Sequence, residues 1–338
     1  MSDEVMSGNR GRSLLAASLA AGAVSALLFH SLLLSLAFLV PVQVAFGRLG
    51  RRAGFGAAAA AILAVVLGHV LRAASAGASA LAELGPADFL AIAAPPAVLL
   101  GALCLMNLSF WDGKPGVLRG LAAVAAVSLA AVPAMMALGR DAGFTSFLEA
   151  RLDAVLKPLL AQAGEGYDSA ALRAALDPKV LAAQTTEALV SSFAALLLAL
   201  LAASWWIGNR LAGPGTPGRE AARPLADYRL PYVFVWPFLA AWTGVLAVAY
   251  LEAPAALRAI AWNFALVLSL AYAAQGIGIA SHLMNRWKLP RTFRIALGAT
   301  AVMVFATPPV GTLAALILPL LGVTEVWIPY RNLKGVGA

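Results

Sequence analysis

Asn263, Tyr272, Gln275 and His282 are polar side chains set inside an apolar run that extends from Ile260 to Leu283. A polar group surrounded by lipid or core costs free energy unless it is paired or reaches water. Such groups therefore either line a wet cavity or tie helices together. On a helix, Gln275 and His282, seven positions apart, share nearly one face, and Tyr272 lies one turn before Gln275. Gly276 and Gly278 carry no Cβ, which lets a neighbouring backbone or a ligand approach closely. Two chemistries fit this pattern. One is a stripe lining a small-molecule cavity, formed by Asn263, Tyr272, Gln275, Gly276 and His282. The other is helix–helix hydrogen bonding, at about 0.6 kcal/mol per bond on average.

Bond-making chemistry has no comparable signature. No Gly-x-x-x-x-Gly-Lys-Ser/Thr phosphate loop, His-Glu-x-x-His, Gly-x-Ser-x-Gly or Cys-x-x-Cys occurs in the sequence, so an enzyme is not expected. His30, His69 and His282 lie on three separate apolar runs without metal-ligand spacing, and Cys104 is the single cysteine. No catalytic, metal-binding or cofactor-binding residue is therefore assigned. The remaining polar groups inside apolar runs are His30, Gln43, His69 and Asn107. The Asn107-Leu-Ser sequon lies in an apolar run near the expected inner interface and is not read as a glycosylation site. Pro41, Pro95-Pro96, Pro133, Pro237, Pro308-Pro309 and Pro319 interrupt further runs, and each frees carbonyls that must find partners.

The elements that must position these residues are membrane helices. Of 338 residues, 62% are hydrophobic and 12% charged, and the mean hydropathy is +0.85; soluble domains do not reach such values. The expected fold is all-α, a polytopic transmembrane helical bundle in one integral membrane domain, 1–338. About eight membrane segments are expected, within a range of six to ten. The runs are Leu14–Leu28 with Ser31–Phe46, Phe55–Leu71, Phe89–Phe110, Val117–Leu138, Glu187–Ile207, Tyr232–Tyr250, Ile260–Leu283, and Phe293–Phe305 with Val310–Leu321. Arg10 and Arg12 before the first run resemble a signal peptide, but the apolar stretch continues to Phe46 and is read as a retained segment. Leu14–Leu28 would be about 22 Å long as a helix, less than the roughly 30 Å hydrocarbon core, so the terminal pairs are expected either to span or to re-enter.

The net charge of +8 would suggest nucleic acid in a soluble protein. Here the Lys and Arg residues sit in short connectors, and most fall on one side when the N-terminus is placed in the cytoplasm. The positive-inside rule then puts both termini there. Trp111, Trp205, Trp206, Trp236, Trp287 and Trp327 lie near the same ends, as an interfacial belt does.

Arg140–Thr186 is the long polar insertion. Phe144, Phe147, Leu148, Leu152, Val155, Leu156 and Leu159 follow i, i+3, i+4 spacing, with Glu149, Asp153 and Lys157 on the other face, which predicts an amphipathic helix. A second short helix is expected from Ser169 to Leu176. Asp177-Pro178 reads as the N-cap and first turn of a long helix leading into the next span. Together these form a small extracytoplasmic helical hairpin over 140–186. Gly208–Arg229, with Gly213-Pro-Gly-Thr-Pro-Gly at its centre, reads as a flexible cytoplasmic loop.

Asn263-Phe264, Tyr272-Ala-Ala-Gln275-Gly276-Ile-Gly-Ile, the basic turn Trp287-Lys-Leu-Pro290-Arg, and the closing Leu321-Gly-Val-Thr-Glu-Val-Trp327-Ile-Pro-Tyr-Arg331 occur in that order. This order resembles the YybS-like bacterial membrane proteins (domain of unknown function 2232). The opening hairpin and the Arg48–Gly54 turn are also similar; Glu325 and Pro329 depart from the closing pattern. The resemblance implies a bacterial inner-membrane location and no assigned activity. Such proteins look distantly like the substrate-capture subunits of energy-coupling-factor transporters, which bind a small molecule and dock on a coupling subunit through small-residue faces. Ala16-x-x-x-Ala20 and Ala17-x-x-x-Ala21 match such a face. Two functions follow as expectations. One is small-solute binding or transport dependent on a partner or an ion gradient. The other is a membrane scaffold acting through the 140–186 hairpin or the basic loops. The expected partners are the lipid bilayer, a membrane protein and a small-molecule ligand, and not nucleic acid.

Overall fold

The computed structural model describes residues 2–31, 34–77, 86–162, 176–213, 224–305, 307 and 310–332. Among the described residues there are eleven α-helices and no strand. They are α1 (Ser2–His30), α2 (Leu39–Leu49), α3 (Arg51–Ala76), α4 (Pro86–Met106), α5 (Gly116–Leu138), α6 (Ala142–Gln162), α7 (Pro178–Ala212), α8 (Val235–Tyr250), α9 (Ala255–Arg286), α10 (Arg291–Phe305) and α11 (Val310–Thr324). The fold is an all-α helical bundle, as the apolar runs require.

Among the described residues six helical segments are long and apolar enough to cross a bilayer: Gly11–His30, Arg51–Ser75, Gly116–Leu138, Pro178–Ala212, Tyr232–Tyr250 and Ala255–Arg286. Their outward side chains are large and apolar. Leu63, Leu129 and Leu246 are 71%, 79% and 69% exposed, an arrangement that lipid satisfies and water does not. The chain is a multi-pass membrane protein.

The first pair differs from its expected form. α1 begins at Ser2, well before Leu14, so its apolar part is long enough to cross. Its second arm is cut to a 3₁₀ turn at Ser35–Ala37 and the 11-residue α2. Pro41 suits the first turn of α2, where its missing N–H leaves no intrahelical bond unmade. Gly50, at φ +89°, ends α2 and lets α3 begin at once.

The same local chemistry closes α8 and α9. Glu252 and Lys288 take left-handed conformations, φ +48° and +51°. The following N–H groups reach back to Val248 O (3.0 Å) and Met284 O (3.2 Å), and Pro254 and Pro290 then forbid continuation. Asp177 caps α7 as expected, its Oδ1 accepting from Lys179 N at 2.9 Å. α6 carries the amphipathic run and is capped by Asp141, whose Oδ1 accepts from Phe144 N at 2.8 Å. The expected second helix at Ser169–Leu176 lies outside the described residues except for its last position.

The loop expected over Gly208–Arg229 is narrower in the structure. α7 continues to Ala212, and Leu225–Asp227 form a 3₁₀ turn packed on α9. Most of its Gly/Pro centre, residues 214–218, lies outside the described residues.

The chain divides into two compact units, Met1–Ala131 with Leu196–Ala222, and Val132–Ala195 with Arg223–Ala338. In the first, α1 and α3 meet through small residues: a Cβ at Gly22 would lie 2.6 Å from Ala60 Cβ and 2.9 Å from Ala57 O. Leu39, Val42, Phe46, Ala57, Ala61, Val65, Leu100 and Leu103 fill its core. In the second, the core joins Val235, Phe238, Ala241 and Val245 of α8 to Ala265, Leu268 and Tyr272 of α9 and Val323 of α11.

Candidate functional site

All five expected site residues lie on α9, but they serve three different environments. Asn263 is buried against α7. Its Oδ1 accepts from Ala194 N at 2.8 Å, while Nδ2 donates to Val190 O at 2.6 Å and to Ala259 O at 2.8 Å. Ala194 N–H and Val190 C=O are the i, i−4 pair that an α-helix joins, so one amide grips both members of a helical rung. Both its amide protons and its oxygen are engaged, which makes Asn263 a helix-to-helix tie and not a ligand group.

Tyr272 belongs to the core. It is fully buried, its ring meets Phe238 edge-on at 5.1 Å between centroids, and its hydroxyl has no hydrogen-bond partner. His282 is half-buried farther along α9 and does not line the cavity described below.

Gly276 faces backbone. A Cβ there would lie 2.2 Å from Leu318 O, and one at Gly322 would lie 2.0 Å from Tyr272 O. α9 and α11 therefore cross with their main chains in contact, which no larger residue permits. Gly278 admits the Leu225 carbonyl in the same way, at 2.5 Å from a built Cβ.

Gln275 is where these elements converge. Its Oε1 accepts from Leu230 N at 2.8 Å, and its Nε2 donates to Gly322 O and to Glu325 Oε2, both at 3.0 Å. One side chain thus pins the segment before α8 and the end of α11 onto α9. Glu325 also faces Arg331, with Oε1 3.1 Å from Arg331 Nε, and the two side chains are only 9% and 2% exposed. Arg331 Nη2 donates to Gln275 O at 3.3 Å, whereas its buried Nη1 has no acceptor. Burial lowers the Arg331 pKa from the ordinary arginine range; Glu325 opposes that shift, Arg229 adds to it and Asp227 opposes it.

Beside this network lies a partly open cavity of about 200 Å³. Gln275, Glu325 and Arg331 wall it together with Arg229, Leu230, Tyr232, Val326, Pro329 and Asn332. Gln275 is the member of the expected stripe that reaches it. Glu325, Arg331 and the Arg229–Leu230 segment were not among the expected site residues. Glu325 and Arg331 lie in the closing segment Leu321–Arg331 singled out in the sequence, whereas nothing there marked Arg229–Leu230. Helical periodicity cannot connect positions 45 or more apart.

The first unit holds a second buried polar network, from residues noted only as scattered. Asn107 Nδ2 donates to Gln43 Oε1 at 2.9 Å and to Leu103 O at 2.9 Å, and Gln43 Nε2 donates to Asn209 Oδ1 at 3.0 Å. Arg51 Nε donates to Asn107 O at 3.0 Å and its Nη2 pairs with Asp112. Arg48 donates to Ala212 O and Leu211 O at 3.1 and 2.7 Å, covering carbonyls at the end of α7. His30 and His69 are also neighbours, their ring centroids 4.8 Å apart. Among the described residues no group of three His, Cys, Asp or Glu side chains is placed to hold a metal ion.

Comparison of the chain with protein-family models, with curated proteins and with solved structures gives no match, so the chemistry of the cavity rests on its own geometry.

Proposed function

We propose that this multi-pass membrane protein binds a small solute, in a transport-related role, at the cavity walled by Gln275, Glu325 and Arg331. The observation that carries the reading is that cavity of about 200 Å³, lined by charged and amide groups at the ends of apolar helices. Polar groups that served only to tie helices would close on one another, as Asn263 does. Here they border open space. The volume suits a small solute, being below the several hundred Å³ usual for drug-sized ligands.

Three further points support the reading. The two segments that meet at the cavity, Gln275-Gly276 and Leu321–Arg331, are among those that carry the likeness to YybS-like bacterial membrane proteins. That likeness favours the bacterial inner membrane. The positive-inside pattern favours cytoplasmic termini and a cavity opening to the cytoplasm. Lacking a phosphate loop, the chain would need a partner ATPase or an ion gradient to move its solute.

A scaffold role is the second reading, favoured by α6, which leaves Phe147 and Val155 more than half exposed. The test is to purify the protein in mild detergent and identify retained small molecules by mass spectrometry. Asn332→Trp places a bulky side chain on the cavity wall at an exposed position. Solute binding is supported by a molecule held by the wild type and lost from N332W. Equal retention by both, or no retention by either, rejects it.

A further inference from the structure

The buried side-chain groups left without a hydrogen-bond partner at this cavity are donors, on Arg331. Glu325 accepts from Gln275 through Oε2, and its Oε1 lies 3.1 Å from Arg331 Nε in an ion pair. Gln275 has used its oxygen and its amide nitrogen. The unpartnered donors are Arg331 Nη1 and Nε, on a side chain 2% exposed, and the rim adds the exposed Arg229 guanidinium and the Asn332 amide. Arg229 lies close enough to Arg331 to act on it by charge repulsion. Two guanidiniums share the wall of this cavity, and Glu325, the acid of its lining, offsets only one of the two charges, which leaves the wall attractive to an anion.

We propose that this cavity binds a phosphate group, held by Arg331 Nη1 from within and by Arg229 and Asn332 from the rim. This rests on the solute-binding reading above and names the chemistry of the solute. A single guanidinium fork satisfies a carboxylate, whereas a phosphate presents oxygens in several directions and takes donors from several segments. About 200 Å³ holds a phosphate with a small substituent, equivalent to roughly six or seven waters at about 30 Å³ each. The group has two sources: a free phosphate compound, or the headgroup of an anionic lipid. Exposed Tyr232, Trp236, Trp327 and Ile328 near the cavity suit the interfacial region where headgroups lie.

The test measures thermal stabilisation of the purified full-length protein in a non-ionic detergent, by intrinsic tryptophan fluorescence. One arm adds inorganic phosphate and the other adds phosphatidylglycerol, each against chloride and a neutral diacylglycerol. Arg229→Gln removes a rim donor without disturbing the buried Glu325–Arg331 pair. It should weaken the apparent affinity about tenfold, the worth of one charge-assisted hydrogen bond. Saturable stabilisation by phosphate, weakened in R229Q, supports a free phosphate compound; the same result with phosphatidylglycerol alone supports a lipid headgroup. Stabilisation by neither, or stabilisation unchanged in R229Q, overturns the phosphate assignment. If a retained solute is still lost from N332W in that case, solute binding stands and only its chemistry is wrong.

Discussion

Gln43 in the first unit and Gln275 in the second are both buried amides at the meeting point of three chain segments, yet their networks end differently. Gln43 bonds to Asn107 and Asn209, each a side-chain amide, and the nearby arginines reach main-chain carbonyls or Asp112. Gln275 bonds to two main-chain groups and to a carboxylate that also faces Arg331, and that arginine keeps a buried nitrogen without an acceptor. The first network stabilises the packing of its own helices. The second has donor capacity to spare, and the cavity lies beside it. Buried polarity alone does not mark a site; unspent polarity next to space does.

The largest effect that would sharpen this contrast is at Arg331. Arg331→Met strands Glu325 as a buried charge and should cost roughly 3–5 kcal/mol, while adding Glu325→Gln should recover most of it. Melting followed by tryptophan fluorescence in detergent reads both. If the single and double variants melt together, the buried ion pair is not the energetic centre of the second network.

Gly322→Ala comes next, because its new Cβ would meet the Tyr272 carbonyl at 2.0 Å. Neither main chain can swing aside, and a loss of about 1–3 kcal/mol or more is expected. Gly208→Ala in the first unit meets side-chain atoms of Gln43 first, at 2.6 and 2.7 Å. It should melt closer to the wild type, and equal losses would erase the distinction between the two contacts.

Gln43→Leu should cost about 1–3 kcal/mol by leaving amide groups unpaired. A double-mutant cycle with Asn107→Leu should show coupling of roughly 0.5–3 kcal/mol. Retained solute should not change in either variant. Loss of solute from a folded Q43L protein would mean that both networks serve binding. Arg48→Ala, at an exposed helix end, should cost only about 0.3–1 kcal/mol.

Tyr228 supplies a pH signature, silent at neutral pH. Burial, reinforced by Tyr272, raises its pKa from 10.0 to about 12. The folded state thus keeps its phenol neutral where the unfolded chain ionises. The stabilisation is complete below pH 10 and is lost as pH rises from 10 to about 12. Tyr228→Phe should flatten that part of the melting profile, and an unchanged alkaline slope would show that Tyr228 is not buried as described.

Much of the bundle was legible because lipid imposes a single requirement, runs of apolar residues long enough to cross it. Val117–Leu138, Tyr232–Tyr250 and the Asp177-Pro178 start of α7 appear within a few residues of their expected limits. α1 was harder, since its first turns are polar and add length without hydropathy. The stripe on α9 was legible as a set of positions, not as one environment. Periodicity places Asn263, Tyr272, Gln275 and His282 on one helix, but which neighbour each meets depends on α7, α8 and α11. Arg331 was out of reach for the same reason: it and Glu325 join Gln275 only because Gly276 and Gly322 let two main chains touch.

Cysteine accessibility tests the central claim, that the Gln275–Arg331 cavity is open to water while the Gln43 network is sealed. In a Cys104→Ser background, N332C and N209C are each exposed to a charged, membrane-impermeant thiol reagent in inside-out vesicles. The account expects fast modification of N332C, slowed by bound solute, and little or none of N209C. Equal protection of both positions, or faster reaction at N209C, would contradict it.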